Sequence, residues 1–227
     1  MKIIEQSHEI LSYDSLALIE RAGRTCYKSE GKMGCTVFND CRLRHESPCR
    51  ISSCQDNSAT KFTRQLIKRG HEAMLEHAGA TVRFITNRGV THELVRHRVA
   101  SFGQESTRYV KYDNVEFILP VWCERDTVAF LIWQHGLFEA EETYRSLITS
   151  FGWRPEQARE VLPNSLKTEI VVTANYREWR HILNLRALGT TGKPHPQMQA
   201  LMLPLLFEFV EKLPALFEDL VEAKPSV

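Results

Sequence analysis

Apolar and polar positions take turns between Ala80 and Ile85, with Ala80, Val82 and Phe84 spaced by Thr81 and Arg83. A period of two places the apolar set on one face of a strand. Lys167 to Thr173 is rich in β-branched residues and reads as a second strand. Lys2 to Ile4 suits a short edge strand, and Glu116 to Val121 another that Pro120 ends. Helical spacing fills much of the rest. Asp14 or Ser15 caps a helix that carries Leu16, Ile19 and Gly23 on one face towards Cys26. Ser58 opens another, with Phe62 and Leu66 aligned and Gly70 as its stop. Gly89 to Arg98 is short, charged and helical. Thr127 to Leu147 is a long amphipathic helix with Val128, Leu131 and Ile132 on its apolar side. Pro155 fits the first turn of a helix bearing Ala158, Val161 and Leu162. Asn175 and Glu178 have the spacing of a capping box, opening a helix that runs to about Arg186. A loop from Gly189 to Pro196 leads to an apolar helix from about Gln197 to Leu213.

Helices interspersed with isolated strands predict an α+β (mixed α/β) fold with a central sheet flanked by helices. A single domain over residues 1–227 is expected, because 227 residues bury one substantial core. The rhythm fails from Glu30 to Asn57, where Gly31, Gly34, Pro48 and four of the six cysteines fall together. Residues 30–57 are expected to be a long loop or insertion. Cys35, Cys41, Cys49 and Cys54, with His45 among them, hold enough sulfur and nitrogen for tetrahedral zinc. Their spacings lack the close pairs that mark such sites, so the expectation is no metal, with zinc there as the alternative. Cys26 and Cys123 are expected to be packed thiols. Trp133, Leu137 and Phe138 are expected in the core.

Composition adds mainly exclusions. The chain is 43% hydrophobic and 25% charged, with a formal net charge of +1. That balance gives no basic field for nucleic acid. Met1 to Ser7 has no apolar run of a secretory signal, and no apolar stretch is long enough to span a bilayer. A cytoplasmic location is expected, with no nucleic-acid or membrane partner and cysteines reduced.

Charge is uneven locally. From Arg83 to Lys111 six Lys or Arg stand against Glu93 and Glu105. Arg96, His97 and Arg98 are followed after seven residues by Ser106, then by Arg108 and Tyr109. Arginine forks suit phosphate and flat rings, and Ser101, Gln104 and Ser106 add neutral donors and acceptors. Two readings stand side by side: an anion site for a phosphorylated, ring-bearing ligand, or a helix end whose Arg96 and His97 pair with Glu93. His71 and His77 are either a metal pair or structural histidines, with the latter expected for want of a third ligand. Asn175 is explained equally well as a cap.

The string RHRVASFGQES, with its trailing TRY, resembles the signature of the flavin-dependent thymidylate synthases: Arg-His-Arg, seven residues, Ser. RGHEAMLEH from Arg69 to His77 resembles the family's upstream segment. AREVLP from Ala158 and TANYREWRHILNLRA from Thr173 resemble its downstream blocks. Together these blocks are spread from Arg69 to Ala187, in the family's order and spacing. The resemblance implies thymidylate made from dUMP, with FAD as hydride carrier, methylenetetrahydrofolate as carbon donor and NADPH as reductant. It also implies an obligate homotetramer whose active sites draw on several subunits. By position, Glu93, Arg96, Gln104, Glu105, Ser106, Thr107, Arg108, Arg159 and Arg186 would meet dUMP. His71, Ala73, Arg96, His97, Arg98, Gln104, Asn175, Arg177 and His181 would meet the flavin. Arg186 would be the catalytic group, favouring ionisation at N3 of the pyrimidine, with Ser106 orienting substrate rather than attacking it. The alternatives are a nucleotide-binding homologue without turnover and a zinc-stabilised interaction module. Four positions depart from the family's habit. Ala73 stands where a hydroxyl is common, Glu93 for glutamine, Gln104 where glutamate can occur, and His181 for asparagine.

Overall fold

The structure is a computed structural model, and it describes residues 1–33, 58–112 and 114–222. The cysteine-bearing stretch with Cys35, Cys41, Cys49 and Cys54 lies outside the described residues, apart from a 3-10 turn at Glu30–Lys32.

Four strands form an antiparallel sheet in the order β2-β3-β6-β4. They are β2 (Ser7–Tyr13), β3 (Gly79–Asn87), β4 (Ala100–Gln104) and β6 (Lys167–Asn175). A second, two-stranded sheet pairs β1 (Lys2–Ile4) in parallel with β5 (Glu116–Ile118). The helices are α1 (Leu16–Cys26), α2 (Ser58–Lys68), α3 (Arg88–Leu94), α4 (Val128–Thr149), α5 (Pro155–Ala158), α6 (Tyr176–Leu183), α7 (Pro196–Lys212) and α8 (Pro214–Glu222). The mixed class is the expected one.

The alternation in β3 is realised in full. Ala80, Val82, Phe84 and Thr86 are buried, and their partners Thr168, Ile170, Val172 and Ala174 on β6 are buried beside them. Helices pack on that face. Trp179 of α6 lies fully buried there and donates its indole N–H to the Ala80 carbonyl at 2.9 Å, joining helix to sheet. The other face is polar. Thr81 and Thr173 meet at 2.9 Å in an exposed pair, and Arg83 bridges Glu9 and Glu169 at 2.9 and 3.6 Å. The central sheet is therefore covered on its apolar face, not flanked on both. Gly79 is required where β3 and β6 close most tightly, since a Cβ there would sit 2.4 Å from the Ala174 carbonyl oxygen.

A smaller core lies between β5 and α4, built from Val115, Phe117, Leu137, Tyr144, Ala158 and Leu166. It corrects the expected orientation of α4. Val128, Leu131 and Ile132 are 73%, 57% and 69% exposed, and Phe138 is exposed with them. The buried face is Phe130, Leu137, Glu141 and Tyr144. A buried carboxylate selects that face. Glu141 pairs with the Met1 ammonium at 2.8 Å and Arg145 at 3.2 Å, and accepts the Val115 N–H at 3.1 Å. Burying Ile132 would strip those partners from Glu141. Cys26 is exposed and Cys123 partly so, so Cys26 is not the packed thiol expected. Leu137 is in the core and Trp133 packs against it.

Three elements escaped the sequence pattern: β2, β4 and α8. No described helix is long and apolar enough to cross a membrane.

Candidate active site

The site is built where α3, β6 and α6 meet. Asn175 ends β6 and caps α6, its Oδ1 accepting the Glu178 N–H at 2.9 Å. The capping box is not reciprocated. The Glu178 carboxylate turns instead to His97, with Oε1 3.3 Å from Nδ1. Past Leu183 the helix loosens into one π turn, Asn184–Leu188, which carries Arg186. Gly189 ends it in the left-handed region at φ 71°, where a Cβ would meet Pro194 at 2.8 Å. Inserted π turns often sit at functional positions because they redirect one side chain.

Arg186 is held from two sides. Its Nε–H donates to His97 Nε2 at 3.2 Å, Nη1 to Glu93 Oε2 at 2.9 Å, and Nη2 to the Glu93 carbonyl at 3.3 Å. His97 is 5% exposed. Burial, then the neighbouring Arg186 and His181, pushes its pKa down to about 4. The imidazole is therefore neutral. Because Nε2 accepts from Arg186, its hydrogen resides on Nδ1 and points at Glu178. The contact with Glu178 is thus a hydrogen bond rather than an ion pair, and burial holds that carboxyl above its ordinary range despite His181.

His97, Glu178 and His181 bring metal-type ligand atoms within 4.8 Å of one another. The tautomer argues against a metal there, since the free lone pair of His97 faces Arg186 and Nδ1 is protonated. His97 and His181 pack edge-on at 5.6 Å. His71 and Ala73 are exposed beside or within the turn Glu72–His77.

Two clefts flank this cluster. One, about 380 Å³, is lined by Asn175, Arg177, Glu178, Arg180 and His181, with Glu72 and Glu76 opposite. The other, about 360 Å³, is lined by Glu93, Arg186, Lys193 and His195. Arg177 is not free: it pairs with Glu76 at 2.5 Å and Glu72 at 3.9 Å on the exposed rim. Arg180 is buried on Asp219 and the Leu216 carbonyl, and its Nε has no hydrogen-bond partner among the described residues. Arg96 and Arg98 are exposed, and their guanidinium groups have no ion-pair partner among the described residues. The Glu93 carboxylate therefore serves Arg186, and the side-chain pairing of Arg96 and His97 with Glu93 expected of a helix end is not formed.

The remaining expected residues form a second group around the end of β4. Gln104 donates to Thr91 and Thr168 at 2.9 and 3.2 Å. Glu105 accepts from Tyr112 at 2.8 Å and Lys167 at 3.2 Å, which leaves its carboxylate occupied. Burial, and then the hydrogen bond to Glu105, raises the Tyr112 pKa. Ser106 Oγ accepts the Arg108 N–H at 3.2 Å. Thr107 is buried and accepts from Arg159 at 3.2 Å, and Arg108 pairs with Glu156 at 3.0 Å. Neither cleft is lined by Gln104 to Arg108 or by Arg159. Glu178, Tyr112, Lys167 and Thr168 went unrecognised in the sequence. Only Glu178 left a trace, and its spacing pointed to a helix cap.

The thymidylate synthase complementing protein family model matches residues 9–215. This chain belongs to that family. The flavin-dependent thymidylate synthase of Corynebacterium aurimucosum is 34% identical, across 91% of this chain and 80% of its own length. That of Mycobacteroides abscessus is 33% identical across 89% and 78%. Among solved structures, the UMP/dUMP methylase PolB from Streptomyces cacaoi, bound with 5-Br dUMP, superposes with a TM-score of 0.75. It covers 98% of this chain and 97% of its own at 21% identity, a likeness of fold. The family match runs through both groups of residues described above and both clefts.

Proposed function

We propose that this chain makes dTMP from dUMP, taking the carbon from methylenetetrahydrofolate, with FAD as hydride carrier and NADPH as reductant. The observation that carries this is Arg186, fixed by His97 and Glu93 at the edge of a cleft in a chain of this family. A cation beside a ring N–H favours its loss, and the resulting anion is richer in electrons at C5, where the new carbon attaches. Arg186 is held before substrate arrives, so little reorganisation is needed.

Flavin suits the first cleft by the chemistry of its donors. Asn175, His181 and Arg177 line its wall, and Arg96 and Arg98, exposed but outside that lining, are the guanidinium groups offered to a diphosphate. Bound flavin supplies the hydride, while the residues supply position and field. Arg177 must leave Glu76, an exchange that an exposed pair allows at small cost. Ser106 orients the nucleotide. His97 is not its base, because both nitrogens of that ring are already engaged.

The group from Gln104 to Arg108, with Arg159, completes the nucleotide site from a second copy of the chain. Two features support self-association: neither cleft contains these residues, and α4 presents Val128, Leu131, Ile132 and Phe138 to solvent. A homotetramer in the cytoplasm is the proposed form. The test is release of tritium from C5-labelled dUMP with the full set of co-substrates. Stoichiometric release with dTMP formation is expected, and dUMP binding with no release would favour a homologue without turnover.

A further inference from the structure

Arg186 is more constrained than activation of a base requires. Three of the five N–H groups of its guanidinium are engaged, two of them by Glu93. Glu93 and Arg186 line the same cleft, at 34% and 22% side-chain exposure. A carboxylate 2.9 Å from a guanidinium cancels much of its field at the distance of a bound ring. The two groups also ask opposite things of a ring N–H flanked by carbonyls. The cation favours its ionised form, whereas the carboxylate accepts its hydrogen and favours the neutral form.

We propose that Glu93 is a positioning residue for Arg186 that also withholds part of its charge, and so sets the pH at which the bound pyrimidine ionises. This rests on Arg186 being the group that faces the base. The other charged or titratable groups around Arg186 are His97 after α3, Lys193 and His195 across the cleft, and Glu178 and His181 behind His97. Among the described residues only Glu93 brings a carboxylate into direct contact with it. Glu93 is thus where the chain adjusts the strength of its activating cation without moving it.

The experiment compares wild type with Glu93→Gln and Glu93→Ala, all loaded with FAD. Calorimetric binding of dUMP is followed from neutral to alkaline pH, beside kcat at each pH. Glutamine keeps an acceptor for Nη1 and removes the charge. Its pH for onset of tighter dUMP binding should fall by about one unit, the effect of uncovering a cation beside the ring. At neutral pH its kcat should rise several-fold. Alanine should lower the same onset and yet lose kcat, because Arg186 is no longer held. Glu93→Gln and wild-type binding profiles that overlay, or an onset that moves up, overturn the role of Glu93. Wild type that takes up flavin but binds no dUMP overturns the placement of Arg186 at the base, and this proposal with it.

Discussion

His97 is the residue on which the site turns. Its two nitrogens join Glu178 on α6 to Arg186 on the π turn, so one neutral ring fixes the direction of the guanidinium proposed to activate the base. Replacing Arg186 by Lys removes the planar fork that meets Glu93 and His97 together. Turnover in Arg186→Lys should fall by on the order of 100-fold with flavin content unchanged, as steady-state kinetics will report. Ser106→Ala should keep turnover within about tenfold of wild type, the effect of losing an orienting contact rather than a nucleophile. His97 also links the site to pH. Its folded pKa of about 4 lies below the ordinary 6.5. Between those values the unfolded chain binds a proton that the folded chain refuses, so stability falls as pH drops through this window. Urea midpoints should decrease from above pH 6.5 to about 4, and His97→Gln should flatten that decrease. At this scale the basic cluster could be read from the chain, because arginines declare their chemistry by type. The partner of each arginine could not, since Glu93 and Arg186 are brought together only by the packing of α3 against the turn after α6.

Elements were most legible where burial is one-sided. The alternation of β3 and the β-branched run of β6 gave both strands, and Asn175 and Pro155 marked helix starts that the structure retains. β2 and β4 were hidden for a physical reason. Each is a sheet edge paired on one side, and β4 alternates only partly buried and exposed positions. α4 was found but turned the wrong way, because its buried face is chosen by Glu141, which no count of apolar residues would place inside. Two substitutions test the elements that carry the site. Gly79→Ala forces β3 away from β6 at Ala174 and should cost about 1–3 kcal/mol in urea unfolding, typical of overpacking. Asn175→Ala removes the cap of α6 and should cost about 1 kcal/mol. That substitution also loosens the helix that presents Glu178, His181 and Arg180, so flavin affinity should fall with it.

For the whole molecule, the described surface is uneven in a way that one copy does not explain. A helix that leaves Val128, Leu131 and Ile132 in water has an apolar stripe without a partner among the described residues, and of the nine expected nucleotide contacts only Glu93 and Arg186 line either cleft. The proposed self-association would account for both. Ile132→Glu should reduce the mass seen by light scattering without lowering helix content, and activity should fall with the assembly. The expected dUMP contacts were named one residue at a time, through family resemblance. Their division into two groups was not legible, because it is set by how β4 and the π turn after α6 are placed in the fold. The proposed enzyme is a flavoprotein whose reductive chemistry is coupled to a pyrimidine nucleotide. The most direct test is the visible absorption spectrum of the FAD-loaded protein during anaerobic addition of NADPH, with and without dUMP. An oxidised-flavin spectrum that bleaches faster with dUMP present is the predicted result. A protein that stays colourless after incubation with FAD, or a flavin whose reduction ignores dUMP, would contradict it.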